Sequence, residues 1–281
     1  MPNNNLTSFN VIIDRSGSMM GLVAETVGGF NKLLEDQKKV DGECMFSLTL
    51  FDNSVAVVHD SVDLKDVPPL TEEAYREGGG GWTALNDALG MTVLRVFNRI
   101  KTMPEDMKPG KVLFTVITDG QENASKEYVG NRLRTLIEKA REQWQYEFTM
   151  IGANIDSVIT AKAMGMDANN AINYNATKGA GGMMDAVRMA SVGTQVYREQ
   201  KNLGRNVRGI YGNMGHVGQA VGMSDEALRS VVASSMSTSD PQAQVVNAVD
   251  TPIVDKDIMD KVSKKANDDS GSAYDTHGSD E

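Results

Sequence analysis

The sequence predicts an α/β domain, doubly wound around a mostly parallel sheet. Three observations support this. Over the first two-thirds of the 281 residues, short apolar runs alternate with longer segments of helical period. One run, Val112 to Ile117, is apolar almost throughout, as in strands buried on both faces of a parallel sheet. With 40% hydrophobic and 23% charged residues, the chain can also bury a proper core.

Each element has its own signal. Phe9-Asn10-Val11-Ile12-Ile13 reads as the first strand and runs into Asp14. From Met19 to Lys38, the residues Met19, Val23, Val27, Phe30 and Leu34 recur three or four apart, one stripe of a helix. Phe46, Leu48 and Leu50 alternate with polar residues up to the turn signal Asp52-Asn53-Ser54. The strand pattern resumes from Val55 to His59, giving a hairpin. Leu85, Leu89, Val93, Val96 and Ile100 form a second helical stripe, and the Val112 strand follows. Val129, Leu133, Leu136, Ala140 and Trp144 predict another helix, and Phe148 to Ile151 another strand. Asp156 is placed to cap a short helix that stops at Gly165. Ala171 to Tyr174 is the last expected strand, before a helix from about Met183 to Gln200.

Beyond Gly204 the pattern weakens. Residues 205–221 are glycine-rich, Ser224 is placed to cap a helix through Leu228 and Val232, and Thr251-Pro252 forms an N-cap and N1 pair. Val254, Ile258 and Val262 then fall on one face, either of a docking amphipathic helix or of a solvated tail with fleeting helix. We therefore divide the chain into a domain at 8–204, a glycine-rich and helical extension at 205–240, and an acidic tail at 241–281 read as disordered.

Composition narrows the function classes. Twenty-eight basic against 38 acidic residues leave a net charge of −10, which argues against broad phosphate-backbone binding and so against nucleic acid. From Asp250 to Glu281, nine acidic residues and four lysines contribute −5, half the total. No stretch reaches the roughly 20 apolar residues needed to span a bilayer, so no membrane role is expected. The opening MPNNNLTSFN has no secretory pattern, and Cys44, the single cysteine, cannot form an internal disulfide. A cytoplasmic setting is the expectation. His59, His216 and His277 stand in no ligand spacing, and many of the 17 methionines sit at helical spacing, which favours core filling over an adaptable binding surface.

The chemistry-bearing residues fall at the carboxyl ends of predicted strands. The first strand enters Asp14-Arg15-Ser16-Gly17-Ser18, a D-x-S-x-S pattern; Gly78 to Gly81 leads into Trp82-Thr83; and VLFTVIT ends at Asp119-Gly120. Ligands of open α/β sheets bind at that edge, near the topological switch point. Two aspartates and three hydroxyls match the oxygen preference of Mg²⁺ or Mn²⁺. Few charges among them leave an ion under-neutralised and receptive to an outside carboxylate. The alternative for Asp14 and Asp119 is plain helix capping. Trp82 either rims the site or plugs its loop, and Arg15 either pairs with a partner carboxylate or is solvated. Glu122 and Asn123 read as structural, capping the helix that follows.

Asp14, Ser16, Ser18, Thr83 and Asp119, in VIIDRSGSM, GGGGWTALNDAL and TVITDGQEN, resemble the metal-ion-dependent adhesion site of von Willebrand factor A domains, in their stand-alone bacterial and phage form. MIGANIDSVITAKAMGM followed by AINYNAT resembles the closing strand–helix–strand of that group, so the likeness covers roughly residues 8 to 200. The resemblance implies a six-stranded sheet with one antiparallel edge strand, supplied by the hairpin, between helical layers. It implies that Ser16, Ser18 and Thr83 bind Mg²⁺ or Mn²⁺ through hydroxyls, with Asp14 and Asp119 directly or through water. A Glu or Asp from a protein partner would complete the shell, with Arg15 and Trp82 as partner contacts. On this reading the chain is a metal-dependent protein-binding module without catalysis, in a bacterium or a phage-infected cell. Alternatives are an assembly component, for example of a phage particle, with a stabilising metal, or a metal-assisted phosphohydrolase. Against the last, no general base is evident, and Ser16 stands where haloacid-dehalogenase-type enzymes need a second Asp.

Overall fold

Alternation in the first strand decides the architecture. In β1 (Asn3–Asp14), Phe9, Val11 and Ile13 point to one face, Ser8, Asn10 and Ile12 to the other, and all six are buried. Such a strand belongs inside a sheet covered on both faces. The computed structural model, which describes residues 1–153, 157–174, 180–199 and 223–237, places it there. The six-stranded sheet has the order β3-β2-β1-β4-β5-β6, with β2 (Glu43–Phe51), β3 (Val55–Asp63), β4 (Pro109–Thr118), β5 (Glu147–Ala153) and β6 (Ala171–Tyr174). All neighbours run parallel except the hairpin partner β3, which forms the antiparallel edge. The expected fold class is therefore the observed one.

Helices cover both faces. On one, α1 (Val23–Lys38) packs against α6 (Ala180–Glu199), sharing a core with Phe9, Val11, Ile13, Phe46, Ile117 and Ile172. On the other, α3 (Leu85–Thr102) and α4 (Arg132–Glu142) meet an aromatic chain. In it, Phe148 stacks on Phe114 at 4.9 Å, Tyr146 joins Phe114 to Trp144, and Trp144 stacks on Phe97 of α3 at 3.9 Å. Two short helices, α2 (Glu72–Arg76) and α5 (Ser157–Ala163), fill the remaining connections. α7 (Asp225–Ser237) starts at Ser224, whose Oγ accepts from the Ala227 N–H as its spacing predicts. It seats Leu228 and Val232 in the core beside α6, with Arg188–Asp225 and Arg229–Glu199 ion pairs at the margin. The described part of the extension thus shares the domain's core. No described helix is long and apolar enough to cross a membrane.

Two helices differ from their sequence stripes. The first begins with a tight 3₁₀ segment, Gly17–Leu22, and becomes α-helical only at Val23; before it, the Arg15 and Gly17 N–H groups are committed to the Phe51 and Gly81 carbonyls. The third stripe is shorter than read: Val129 is 56% exposed and outside α4, and Trp144 lies beyond its end. α4 is capped at Gln143, Gln145 takes a positive φ of 56°, and Trp144 between them stacks on Phe97. The Asp156 cap, the helix at Thr251-Pro252, the glycine-rich 205–221 stretch and the acidic tail lie outside the described residues.

Two helical glycines should respond oppositely to alanine. Nothing approaches the Cβ position of Gly28 in α1, whereas at Gly90 in α3 it meets the Tyr128 ring at 2.5 Å. Gly28→Ala is expected to stabilise by about 1 kcal/mol from helix propensity. Gly90→Ala is expected to destabilise by about 1–3 kcal/mol through overpacking. Urea unfolding of the two variants checks the signs.

Candidate functional site

The chain turns outward from β1 in two directions, to β2 on one side and β4 on the other, so the carboxyl ends of β1 and β4 flank the switch point. Ile13 pairs with Ile117, which sets Asp14 beside Thr118. Asp14 is fully buried. Its Oδ1 accepts from the Ser16 N–H at 2.8 Å and its Oδ2 from the Thr118 hydroxyl at 2.6 Å. Thr118 Oγ1 also accepts from the Gly120 N–H at 3.1 Å, tying the turn after β4 to the same carboxylate. Ser16 and Ser18 hydroxyl oxygens lie 3.2 Å apart, and Ser18 donates to Asp119 Oδ1 at 2.7 Å. Thr83 arrives from a third segment: a Cβ added to Gly120 would lie 2.9 Å from Thr83 Oγ1 and 3.3 Å from Asp14 Oδ2. Three loops therefore bring Asp14, Ser16, Ser18, Thr83 and Asp119 to one place.

This donor set suits a hard divalent cation. It consists of oxygens only, with two carboxylates and three hydroxyls, and Gly120 leaves the floor of the cradle free of a side chain. Among the described residues, no group of three or more His, Cys, Asp or Glu gathers anywhere, so a thiolate or imidazole centre has no candidate. Burial raises the Asp14 carboxyl above its ordinary range; hydrogen bonds from Thr118 and Ser16 oppose this, and the charge of Asp119 adds to it. Burial likewise raises Asp119, against the hydrogen bond from Ser18. Two desolvated carboxylates of like charge are what a bound cation would relieve. Neither aspartate caps a helix: Asp14, nine residues before α1, accepts from Ser16 and from Thr118 of β4, and no helix starts after Asp119 until Arg132.

Residues that sequence reading gave a different role, or none, hold these loops. Asn123 accepts from the Thr83 N–H at 2.8 Å and returns its own N–H to the Thr83 carbonyl at 3.0 Å. Glu122 caps the helix that precedes it rather than one that follows, accepting from the Asn86 N–H in the first turn of α3. Asp87 of that turn accepts from the N–H groups of Lys126, Glu127 and Tyr128. A carboxylate in the first turn of a helix with unpaired backbone N–H groups nearby was the available signal. The fully buried Tyr75 donates its hydroxyl to the Asp14 carbonyl.

Arg15 and Trp82 part ways. Arg15 is buried, neither solvated nor facing outward, and its guanidinium donates to the Glu77 carbonyl. Its own carbonyl accepts from the Gly80 N–H, so it laces the glycine loop to the loop after β1. Trp82, one residue before Thr83, is 70% exposed and plugs nothing. Gly81 gives the Asn53 side chain its place, because a Cβ there would fall 1.8 Å from Asn53 Oδ1 and force that amide to move.

Fold and site together define an α/β domain with an oxygen-lined cradle at the carboxyl end of its central strands. No protein-family model matches the chain, and no curated protein sequence does. Solved structures do resemble it. A von Willebrand factor type A protein from Catenulispora acidiphila is 14% identical, with 67% of this chain and 42% of that one covered and a TM-score of 0.46. Proximal thread matrix protein 1 from the mussel byssus, with a zinc-occupied MIDAS motif, is 17% identical, with 68% and 47% covered and a TM-score of 0.46. The vWF domain of the type V pili tip protein Mfa5 from Porphyromonas gingivalis is 11% identical, with 66% and 95% covered and a TM-score of 0.46. The chain spans less than half the length of the first two. At these identities the likeness is one of fold and says nothing of partners or activity.

The cradle gives a direct test. Gly120→Ala places a methyl against Thr83 Oγ1 and Asp14 Oδ2 while leaving every proposed ligand in the sequence. The variant is expected to bind Mn²⁺ at least about tenfold more weakly than the wild type, measured by isothermal titration.

Proposed function

We propose that this chain is a von Willebrand factor A-type protein-binding module. Asp14, Ser16, Ser18, Thr83 and Asp119 hold Mg²⁺ or Mn²⁺, and the ion grips a Glu or Asp of a protein partner. The convergence of these five oxygens from three loops carries the reading. Two carboxylates neutralise a divalent ion only formally, and hydroxyl ligands add no charge, so a further acidic ligand is favoured. Access supports the same view: Ser18 and Trp82 are both exposed, and a partner's carboxylate can reach the ion between them. Trp82 is the rim contact for that partner. Arg15 acts on the glycine loop instead.

The reading is one of binding rather than turnover: the cradle's hydroxyls and carboxylates are hydrogen-bonded to one another, as Ser18 to Asp119 and Thr118 to Asp14. In this reading the domain occupies residues 8–204 with α7 of the 205–240 extension on its core, and the 241–281 tail is a second candidate contact. The buried free thiol of Cys44 suits a reducing, cytoplasmic setting.

Thermal unfolding in EDTA, Mg²⁺ or Mn²⁺ is the test. An ion that binds only the folded state, at ~100 times its Kd, adds about 2.7 kcal/mol, a shift of several degrees. The wild type is expected to show that rise and Asp14→Ala to lack it; no rise in the wild type, with no heat in direct titration, refutes the site. Beads carrying Glu-containing and matched Gln-containing peptides then test the partner chemistry. Capture of the Glu set alone, reversed by EDTA and weakened by Trp82→Ala without loss of the thermal shift, is the expected outcome.

A further inference from the structure

Thr83 stands just outside α3, which starts at Leu85, and the loop that follows Asp119 sets its position. The Asn123 Oδ1 accepts from the Thr83 N–H at 2.8 Å. The Asn123 and Ala124 N–H groups donate to the Thr83 carbonyl at 3.0 and 3.2 Å. The side-chain bond differs from the other two in what it holds. A peptide unit is planar, so an acceptor that fixes the Thr83 N–H also fixes the Trp82 carbonyl. One amide oxygen therefore sets the plane between the exposed Trp82 and the buried Thr83.

The loop holds together without that bond. Glu122 accepts from the N–H groups of Asn86, Ala124 and Ser125 and from the Ser125 hydroxyl. Ser125 Oγ in turn accepts from the Asp87 N–H, and the Asp87 carboxylate takes the N–H groups of Lys126, Glu127 and Tyr128. Residues 122–128 are thus joined to the start of α3 with no help from the Asn123 side chain, whose described bond goes to Thr83 alone. Without it the Thr83 N–H is a donor left unpaired in a residue that is 3% exposed, and the plane is free to turn toward another acceptor. We propose that Asn123 is a positioning residue of the cation site: by holding the Trp82–Thr83 peptide, its side chain keeps the Thr83 hydroxyl in the cradle with Asp119. Loops that carry two ligands are then locked to each other, as outer-shell partners lock the ligands of other metal centres. This inference rests on the cation reading above.

Asn123→Ala deletes the side-chain bond and keeps both backbone bonds to the Thr83 carbonyl, whereas Asn123→Asp keeps an oxygen acceptor for the Thr83 N–H. Titration calorimetry with Mn²⁺, below the melting transition of every variant, is the test. The affinity of Asn123→Ala is expected to fall about tenfold, and that of Asn123→Asp to be retained. An asparagine that only braces the loop would lower the melting temperature of Asn123→Ala in EDTA and leave its Mn²⁺ affinity at the wild-type value. That result overturns the proposal while the cation reading stands. An equal loss of affinity in both variants overturns it too, because the acceptor is then not what matters. A wild type that binds no Mn²⁺ overturns the cation reading, and the role of Asn123 with it.

Discussion

The carboxylate of Asp14 is put where a carboxylate is costly, and the carboxyl end of the sheet is arranged around it. It has no exposure, and the described protein gives it one backbone N–H and one hydroxyl. An ionised carboxylate in such a place needs more than two donors to offset its lost hydration. The sheet nevertheless fixes it, because β1 is paired on both sides to its last residues and cannot move without breaking two ladders. Strand pairing therefore supplies the stability against which the unfavourable charge is held. What is left over is a local demand for positive charge, directed at the switch point of the fold.

The loops around that charge are closed by the chain's own hydrogen bonds. Gly17 donates to the Gly81 carbonyl, Gly80 to the Arg15 carbonyl, and Ala84 to the Asp52 carbonyl. Arg15 adds a side-chain bond to Glu77, and Asn123 clasps Thr83 from both sides. With its neighbours pinned in this way, Trp82 is left outside, and its exposure follows from the lacing of the residues on either side. A site already set before its ligand arrives spends less of the binding free energy on ordering. Buried Arg15 is a working part of that order, although sequence alone could place it only by analogy with its motif.

The sheet and its helices were legible because their signals are periodic. A short apolar run marked β1, alternation marked β2, stripes marked α1 and α3, and Ala171 to Tyr174 coincides with β6. The five oxygen donors were legible because they sit in short local patterns at strand ends. The sequence was silent where the deciding contact lies far along the chain. Trp144 has helical spacing to Ala140, yet a stacking partner 47 positions earlier, Phe97, determines where it sits. Glu122 looks forward to a helix but serves the one behind it, through a contact 36 positions away.

These closures also separate two possible roles for a cation. If the ion were a staple, the loops would depend on it, and their donors would be unmatched without it. Here Ser18 meets Asp119, Asn123 meets Thr83, and Glu122 meets Asn86 through the chain alone. Below them, two independent cores, Phe9 with Phe46 on one face and Phe114 with Phe148 on the other, bear the weight of the fold. The loops are thus closed without a cation, and an ion would stabilise the fold by binding to it rather than by completing its hydrogen bonds. The unmet demand is electrostatic, concentrated on the buried Asp14 and on Asp119, and only Ser18 of the five donors is exposed. On the proposed reading, a cation held there would be approached from the side of the exposed Trp82, where another molecule can reach it.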